Sequence, residues 1–108
     1  MGRNAPKGGA PVTPAVTTAG TPGTSAQVWT FTRGSVRPCF VGNTSSTTVL
    51  FLKVNSADAV TATDWVISIP SLGWYDVSQE GLINVDSIKA WMAVGGSFAS
   101  IVINGFPF

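Results

Sequence analysis

The chain has 108 residues, enough for one domain, and only 10% of them are charged, against about a quarter in ordinary soluble domains. It contains no His and one Cys, so a Ser-His-Asp triad and transition-metal sites built from His and Cys are excluded. A lone monomer normally presents more charge to water. The low charge therefore predicts that part of the surface is buried against partner chains.

The charges are unevenly distributed along the chain. Five basic residues and no acid precede Asp58, whereas five acids and only Lys89 follow from that point. Such asymmetry suits a protein with a fixed orientation in an assembly. The basic residues are scattered rather than clustered, which argues against nucleic-acid binding. No segment reaches the ~18 apolar residues of a membrane span, and the N-terminus lacks the apolar core of a signal peptide. We expect a protein made in the cytosol, with neither nucleic acid nor membrane as partner.

Residues 1–26 differ in composition from the rest of the chain. Gly, Pro, Ala, Thr and Ser dominate there, aromatic residues are absent, and four prolines prevent a regular helix. Such a segment cannot bury enough apolar surface to offset its own ordering entropy. It is predicted as a flexible or extended N-terminal arm, either free or lying on a neighbouring subunit, where Arg3 and Lys7 suit an acidic groove.

Residues 27–108 alternate between apolar and polar side chains in short runs bounded by turn residues, the pattern of strands. The predicted strands are residues 28–33, 35–41, 45–54, 64–69, 74–77, 85–92 and 97–104. Residues 45–54 are apolar on both faces, which predicts a central strand. Pro38 predicts an edge or a bulge in its strand. The sequence therefore predicts an all-β domain, a small antiparallel β-sandwich or a jelly-roll-like fold, after the arm.

The aromatic residues are divided between core and surface. Trp29 and Trp65 lie on apolar strand faces and are predicted in the core. Trp74, Tyr75 and Trp91 are expected at the surface, either as anchors of a protein interface or as platforms for sugar rings. An interface also explains the low charge.

Two further apolar features bear on packing. The apolar C-terminus, Phe106 to Phe108, is expected to be buried against a partner. Cys39 lies in an apolar context and is predicted to be a buried structural thiol rather than a nucleophile.

The acids are the remaining candidates for acid–base chemistry. Asp58, Asp64, Asp76 and Asp86 each fall at or near a strand end, where Asp caps turns by accepting backbone hydrogen bonds. A glycosidase needs two carboxylates across a cleft, for which roughly 80 folded residues leave little room beside a packed core. We expect no enzyme activity, no metal and no cofactor.

The layout of the chain resembles that of small virion proteins of tailed bacteriophages. The likeness is to capsid decoration or cement proteins, and more loosely to head fibres and receptor-facing β-sandwich modules. It is carried by the arm, the compact β-domain poor in charge, and two turn-then-strand phrases, PSLGW at 70–74 and VDSIKAW at 85–91. The resemblance implies a structural homo-oligomer, often a trimer, on the virion capsid surface, assembled in the host cytoplasm. It also implies that the protein binds the major capsid protein or neighbouring virion subunits and staples capsomers together.

Two alternatives remain open. One is a carbohydrate-binding or receptor-binding module in which exposed aromatic residues stack on a glycan, and the other is a head–tail or tail component. The candidate interface residues are Arg3, Lys7, Trp74, Tyr75, Trp91, Phe106 and Phe108.

Overall fold

A computed structural model describes residues 11–32, 36–82 and 84–107. Within these ranges, eight strands form two antiparallel sheets, and the predicted all-β antiparallel sandwich is confirmed. The strands are β1 Ala15–Thr18, β2 Gln27–Thr30, β3 Val36–Asn43, β4 Leu50–Val54, β5 Ile67–Ile69, β6 Trp74–Asp76, β7 Ser87–Met92 and β8 Ile101–Pro107. Short 3-10 helices span Val77–Leu82 and Phe98–Ser100. None of the helices in the described ranges is long and apolar enough to cross a membrane.

The larger sheet has the strand order β1-β2-β7-β4-β5 and the smaller sheet the order β6-β3-β8. Their inner faces share a hydrophobic core to which both sheets contribute fully buried side chains, among them Val41, Leu50, Leu52, Ile88 and Met92. Alternation along β7 places every second residue in this core, as its sequence predicts.

Strand β4 is interior, paired with β5 on one side and β7 on the other. It begins at Leu50 rather than at Ser45, so the prediction of a strand over 45–54 is wrong in its first half. The reason is a turn: the Ser45 hydroxyl oxygen accepts hydrogen bonds from the backbone N–H groups of Thr47 and Thr48, at 3.2 and 3.1 Å. Local side-chain hydrogen bonds of this kind compete with strand pairing.

The end of β3 is tied to the neighbouring turns by a buried amide. Asn43 is fully buried, and its Nδ2 donates to the carbonyl oxygens of Thr48, Ile69 and Pro70 at 2.9, 3.2 and 3.2 Å. Its Oδ1 accepts from the Ser45 backbone N–H at 3.1 Å. Because each of these groups is satisfied, the polar side chain is tolerated in the core.

Pro38 lies in an interior strand, since β3 is flanked by β6 and β8. The register between β3 and β8 shifts between Val36 and Cys39, so the predicted bulge is present and the predicted edge is not. A register shift accommodates proline because it removes the need for the missing backbone donor.

Strand β8 differs from its predicted bounds at both ends. Residues Phe98–Ser100 form a 3-10 turn, and the strand continues past Gly105 to Pro107. Phe98 is buried with its ring edge-on to Trp29, the centroids 6.0 Å apart. Trp29 is in the core, as predicted.

The described part of the predicted arm is extended and lies against its own domain. Strand β1 pairs with β2 at the edge of the larger sheet. Before it, Val12 exchanges two backbone hydrogen bonds with Gly105 of β8, at 2.7 and 2.9 Å. The segment thus runs from the edge of one sheet to the edge of the other. Residues 1–10, with Arg3 and Lys7, lie outside the described residues, and their docking on a neighbour stays a prediction.

Candidate functional site

Trp74 lies on the outer face of the smaller sheet, as the sequence predicts. It is 56% exposed and pairs in register with Gly42 of β3. A Cβ atom at position 42 would fall 2.6 Å from three carbons of the indole ring, so the ring rests directly on the glycine backbone. The absence of a side chain at Gly42 is what allows this close approach.

The same outer face carries other apolar side chains. Phe40 is 38% exposed, and its ring meets that of Phe106 edge to face, with centroids 6.2 Å apart. Val102 pairs with Gly42 from the side opposite Trp74. Because alternate residues of a strand share a face, Phe40, Trp74, Val102 and Phe106 lie on one outer face, the Trp74 face. Asp76 and Asn104, which pair with Phe40, are the polar residues of the same face.

Tyr75 does not join this surface. It pairs with Val41 of β3 and packs against the hydrophobic core. The expectation that Tyr75 lies at the surface with Trp74 is therefore wrong, because neighbouring residues of a strand point to opposite faces. Phe108, the other predicted interface residue at the C-terminus, lies outside the described residues.

Trp65 is 44% exposed, so its predicted place in the core is wrong. Strand pairing begins only at Ile67, and residues 61–64 form a turn closed by hydrogen bonds between Thr61 and Asp64. The period-two pattern of residues 64–69 therefore holds for Ile67 and Ile69 but does not extend back to Trp65. Its ring lies instead 5.9 Å from that of Phe51 on the outer face of the larger sheet.

Trp91 of β7 lies on this second outer face. It pairs across the strands with Phe51 of β4, and the two ring centroids are 6.3 Å apart. Trp65, Phe51 and Trp91 form a row of three rings, the aromatic row. Cross-strand aromatic pairs stabilise a sheet, and here they also leave ring surface at the solvent side.

A groove of about 420 Å³ adjoins the aromatic row at Trp91. Its floor consists of Val28, Lys89 and Trp91 on adjacent strands β2 and β7. Its walls come from two loops and the end of β1, with Thr18, Thr24, Ser25, Val60 and Thr61.

Two lysines hold one wall of the groove. Lys53 and Lys89 are directly opposite each other on β4 and β7, a pairing of like charges that is unfavourable unless each charge is compensated. The Lys53 ammonium, nearly buried, lies 3.0 Å from Asp64 Oδ1. The Lys89 ammonium donates to the carbonyl oxygens of Ala57 and Asp58 at 3.0 and 2.9 Å. Each charge is thus compensated separately, and the loop over residues 55–64 is fastened to the sheet.

A smaller cavity of about 280 Å³ lies where the N-terminal segment passes β8. Thr13 and Pro14 line one side, and Trp29 and Ile103 line the other. The groove beside Trp91 is larger and is lined by more residues that carry a hydroxyl group.

Two titratable side chains in the described part of the chain have structural surroundings that the sequence predicts. Cys39 is fully buried as predicted, and burial, with a smaller effect from the charge of Asp76, raises its pKa from 9.0 to about 12. Asp76 Oδ1 accepts from the backbone N–H and the hydroxyl of Ser78, at 3.0 and 2.6 Å, which is the turn-capping role predicted for it. Within the described ranges, no group of three or more Cys, Asp or Glu is placed to hold a metal ion.

The sequence predicts the outward placement of Trp74 and Trp91 but not the roles of Gly42, Phe51 and the Lys53–Lys89 pair. These depend on which strands are neighbours and in which register, and no local pattern carries that information. Comparison with known proteins adds no constraint: no family model, curated protein or solved structure matches the chain.

Proposed function

We propose that this protein is a structural, non-enzymatic virion component, a capsid decoration or cement protein that assembles as a homo-oligomer on a phage capsid. The virion setting rests on the resemblance in layout between this chain and such proteins. The observation that supports an assembly role most directly is the Trp74 face.

The Trp74 face has the composition of an interface. Phe40 and Trp74 are exposed on it, and Val102 and Phe106 are partly exposed. Contiguous exposed apolar surface rimmed by polar residues marks association sites in soluble proteins, and Trp is enriched among the residues that contribute most to binding. The Trp74 ring packs on the Gly42 backbone and leaves its other face exposed for a partner to cover.

The mechanism follows from mass action. A subunit that binds only the assembled lattice stabilises that lattice by the free energy of its binding. In a closed ring every subunit makes the same contacts, and we expect a trimer in which the Trp74 face of each subunit packs against a different surface of its neighbour. The outer face of the larger sheet, on the other side of the sandwich, then forms part of the outer surface of the virion.

The assembly role is tested by measuring the solution mass of the full-length protein with light scattering on a sizing column. A closed oligomer is expected, and Trp74→Lys should convert it to a folded monomer because it places a charge in an apolar interface. Trp65→Lys is the matched control, since Trp65 is similarly exposed on the opposite sheet and should leave the mass unchanged. A monomeric wild-type protein would contradict the proposed oligomer.

The capsid role is tested separately by co-sedimentation with capsids of the phage that encodes the chain. Bound protein should sediment with the capsids and raise the temperature at which they disrupt. An oligomer that neither sediments with the capsids nor protects them would overturn the decoration role while leaving the interface intact.

A further inference from the structure

We propose that the groove beside Trp91 is a binding site for a neutral sugar, one or two rings of a glycan. This site is on the opposite sheet from the Trp74 face, and the proposal does not depend on the virion role.

The groove has the form of a small-ligand site. Its volume of about 420 Å³ falls in the range of about 300–1,000 Å³ typical of such sites, which combine an aromatic or apolar surface with a few polar groups. Trp91 is half-buried at its floor and is braced from behind by Phe51 on the neighbouring strand. An indole face fixed in this way offers a flat apolar platform, which matches the C–H face of a pyranose ring.

The polar groups of the groove are mostly hydroxyls. Ser25 Oγ accepts from the Thr21 backbone N–H at 3.0 Å, and Thr61 Oγ1 accepts from the Thr63 backbone N–H at 3.3 Å. Each hydroxyl is thereby oriented by the backbone. Thr61 Oγ1 also lies 3.4 Å from Thr63 Oγ1, and either oxygen can be the donor of that contact. A hydroxyl both donates and accepts, so these groups complement the hydroxyls of a sugar.

Thr18 and Thr24 add further hydroxyls on the wall opposite Thr61. Hydroxyls on two sides of the aromatic platform match the arrangement of a pyranose, whose hydroxyls radiate from the ring edge while its faces stay apolar. The groove therefore has an apolar floor and polar walls, an arrangement that complements the apolar faces and the polar edge of a sugar ring.

The charge of the groove favours a neutral ligand. Lys89 is the one charged side chain among the described residues that line it, and its ammonium donates to the carbonyl oxygens of Ala57 and Asp58. Two of its three protons are thus used to hold the wall. Recognition of phosphate, sulfate or carboxylate groups usually relies on further cationic or bidentate donors, above all Arg, and the lining residues that the structure describes include no Arg.

The walls are formed without a ligand. Lys89 and the Lys53–Asp64 pair fasten the loop over 55–64, and Val60 in that loop is only 2% exposed. A rigid wall reduces the ordering cost of binding, so measurable affinity for a short oligosaccharide is expected.

The test is titration of the full-length protein with four neutral disaccharides: maltose, cellobiose, lactose and N,N′-diacetylchitobiose. Binding is measured by tryptophan fluorescence and by calorimetry. Sulfated heparin disaccharide is the anionic comparison. We expect millimolar or tighter binding of at least one neutral disaccharide, and Trp91→Ala should weaken it about tenfold or more because the stacking platform is lost. Trp65→Ala, in the same aromatic row but outside the groove, should bind as the wild type does.

Thr61→Val provides a second variant, which removes one hydroxyl while keeping the shape of the side chain. It should weaken binding severalfold and leave the fold and the oligomer mass unchanged.

Failure of all four neutral disaccharides to bind would overturn the proposal, as would equal binding by wild type, Trp91→Ala and Thr61→Val. Tighter binding of the heparin disaccharide would overturn the neutral character of the site. If Trp91→Ala dissociated the oligomer, Trp91 would belong to an interface and the glycan site would be refuted.

Discussion

At the scale of single residues, two glycines show how surroundings decide the effect of one methyl group. At Gly105, an added Cβ would lie 2.5 Å from Val36 Cγ2 and 2.8 Å from Phe31 Cε1, both buried. At Gly42 it would meet the far end of the exposed Trp74 ring, which is free to move outward. We expect Gly105→Ala to cost about 2–3 kcal/mol and Gly42→Ala less than about 1 kcal/mol in unfolding free energy. Urea unfolding measures both, and equal losses would contradict this assignment.

Cys39 yields a prediction about pH at the same scale. Burial raises its pKa from 9.0 to about 12 in the folded protein. The folded state therefore keeps the thiol proton in a range where the unfolded chain has lost it. This contribution to stability is complete below pH 9 and decreases as pH rises from 9 to about 12, by roughly 1 kcal/mol per pH unit. Cys39→Ala lacks it, so the stability of the wild type should fall more steeply than that of the variant across this range. Parallel pH profiles would show that the thiol is not protected.

At the scale of elements, the loop over residues 55–64 is held on β4 and β7 by the two lysines. Asp64→Ala removes the partner of the Lys53 ammonium, which is nearly buried. We expect a loss of about 1–2 kcal/mol in unfolding free energy, less than for a fully buried pair because Asp64 is largely exposed. Asp58→Ala is the matched control, since Lys89 binds the Asp58 backbone carbonyl and that group is kept. Equal unfolding midpoints for the two variants would argue against the ion pair as a fastening.

At the scale of the whole molecule, residues 11–18 close the side of the sandwich between the edges of its two sheets. A chain lacking residues 1–10 keeps every described contact and should unfold like the full-length protein. A chain lacking residues 1–19 loses the Val12–Gly105 hydrogen bonds and β1, which leaves an unpaired edge on β2. Exposed strand edges promote aggregation, so this variant should unfold at lower temperature and aggregate.

Thermal unfolding followed by circular dichroism, with light scattering for aggregation, compares the two truncations. Similar behaviour of both would mean that β1 contributes little to the fold. A test of capsid attachment by the N-terminal arm should therefore remove residues 1–10 and no more, because removing residues 1–26 would also remove β1.

By itself, the sequence determined the fold class, the approximate positions of seven strands and the inward residues of several of them. Trp29, Ile67 and the buried side of β7 follow from alternation, because the period of two is a local consequence of strand geometry. The core position of Cys39 and the exposure of Trp74 follow from local context in the same way.

Only the tertiary structure decided which residues meet. It placed Trp74 on Gly42, Phe51 against Trp91, and Lys53 opposite Lys89, because register joins residues far apart in the chain and a shift of one residue would reverse every face. It also moved Trp65 to the surface and residues 15–18 into the larger sheet. Trp65 is at the surface because the turn over residues 61–64 delays strand pairing until Ile67, although the apolar alternation extends back to Trp65. Residues 15–18 are only weakly apolar, and they form a strand because the edge of β2 supplies their backbone hydrogen-bond partners.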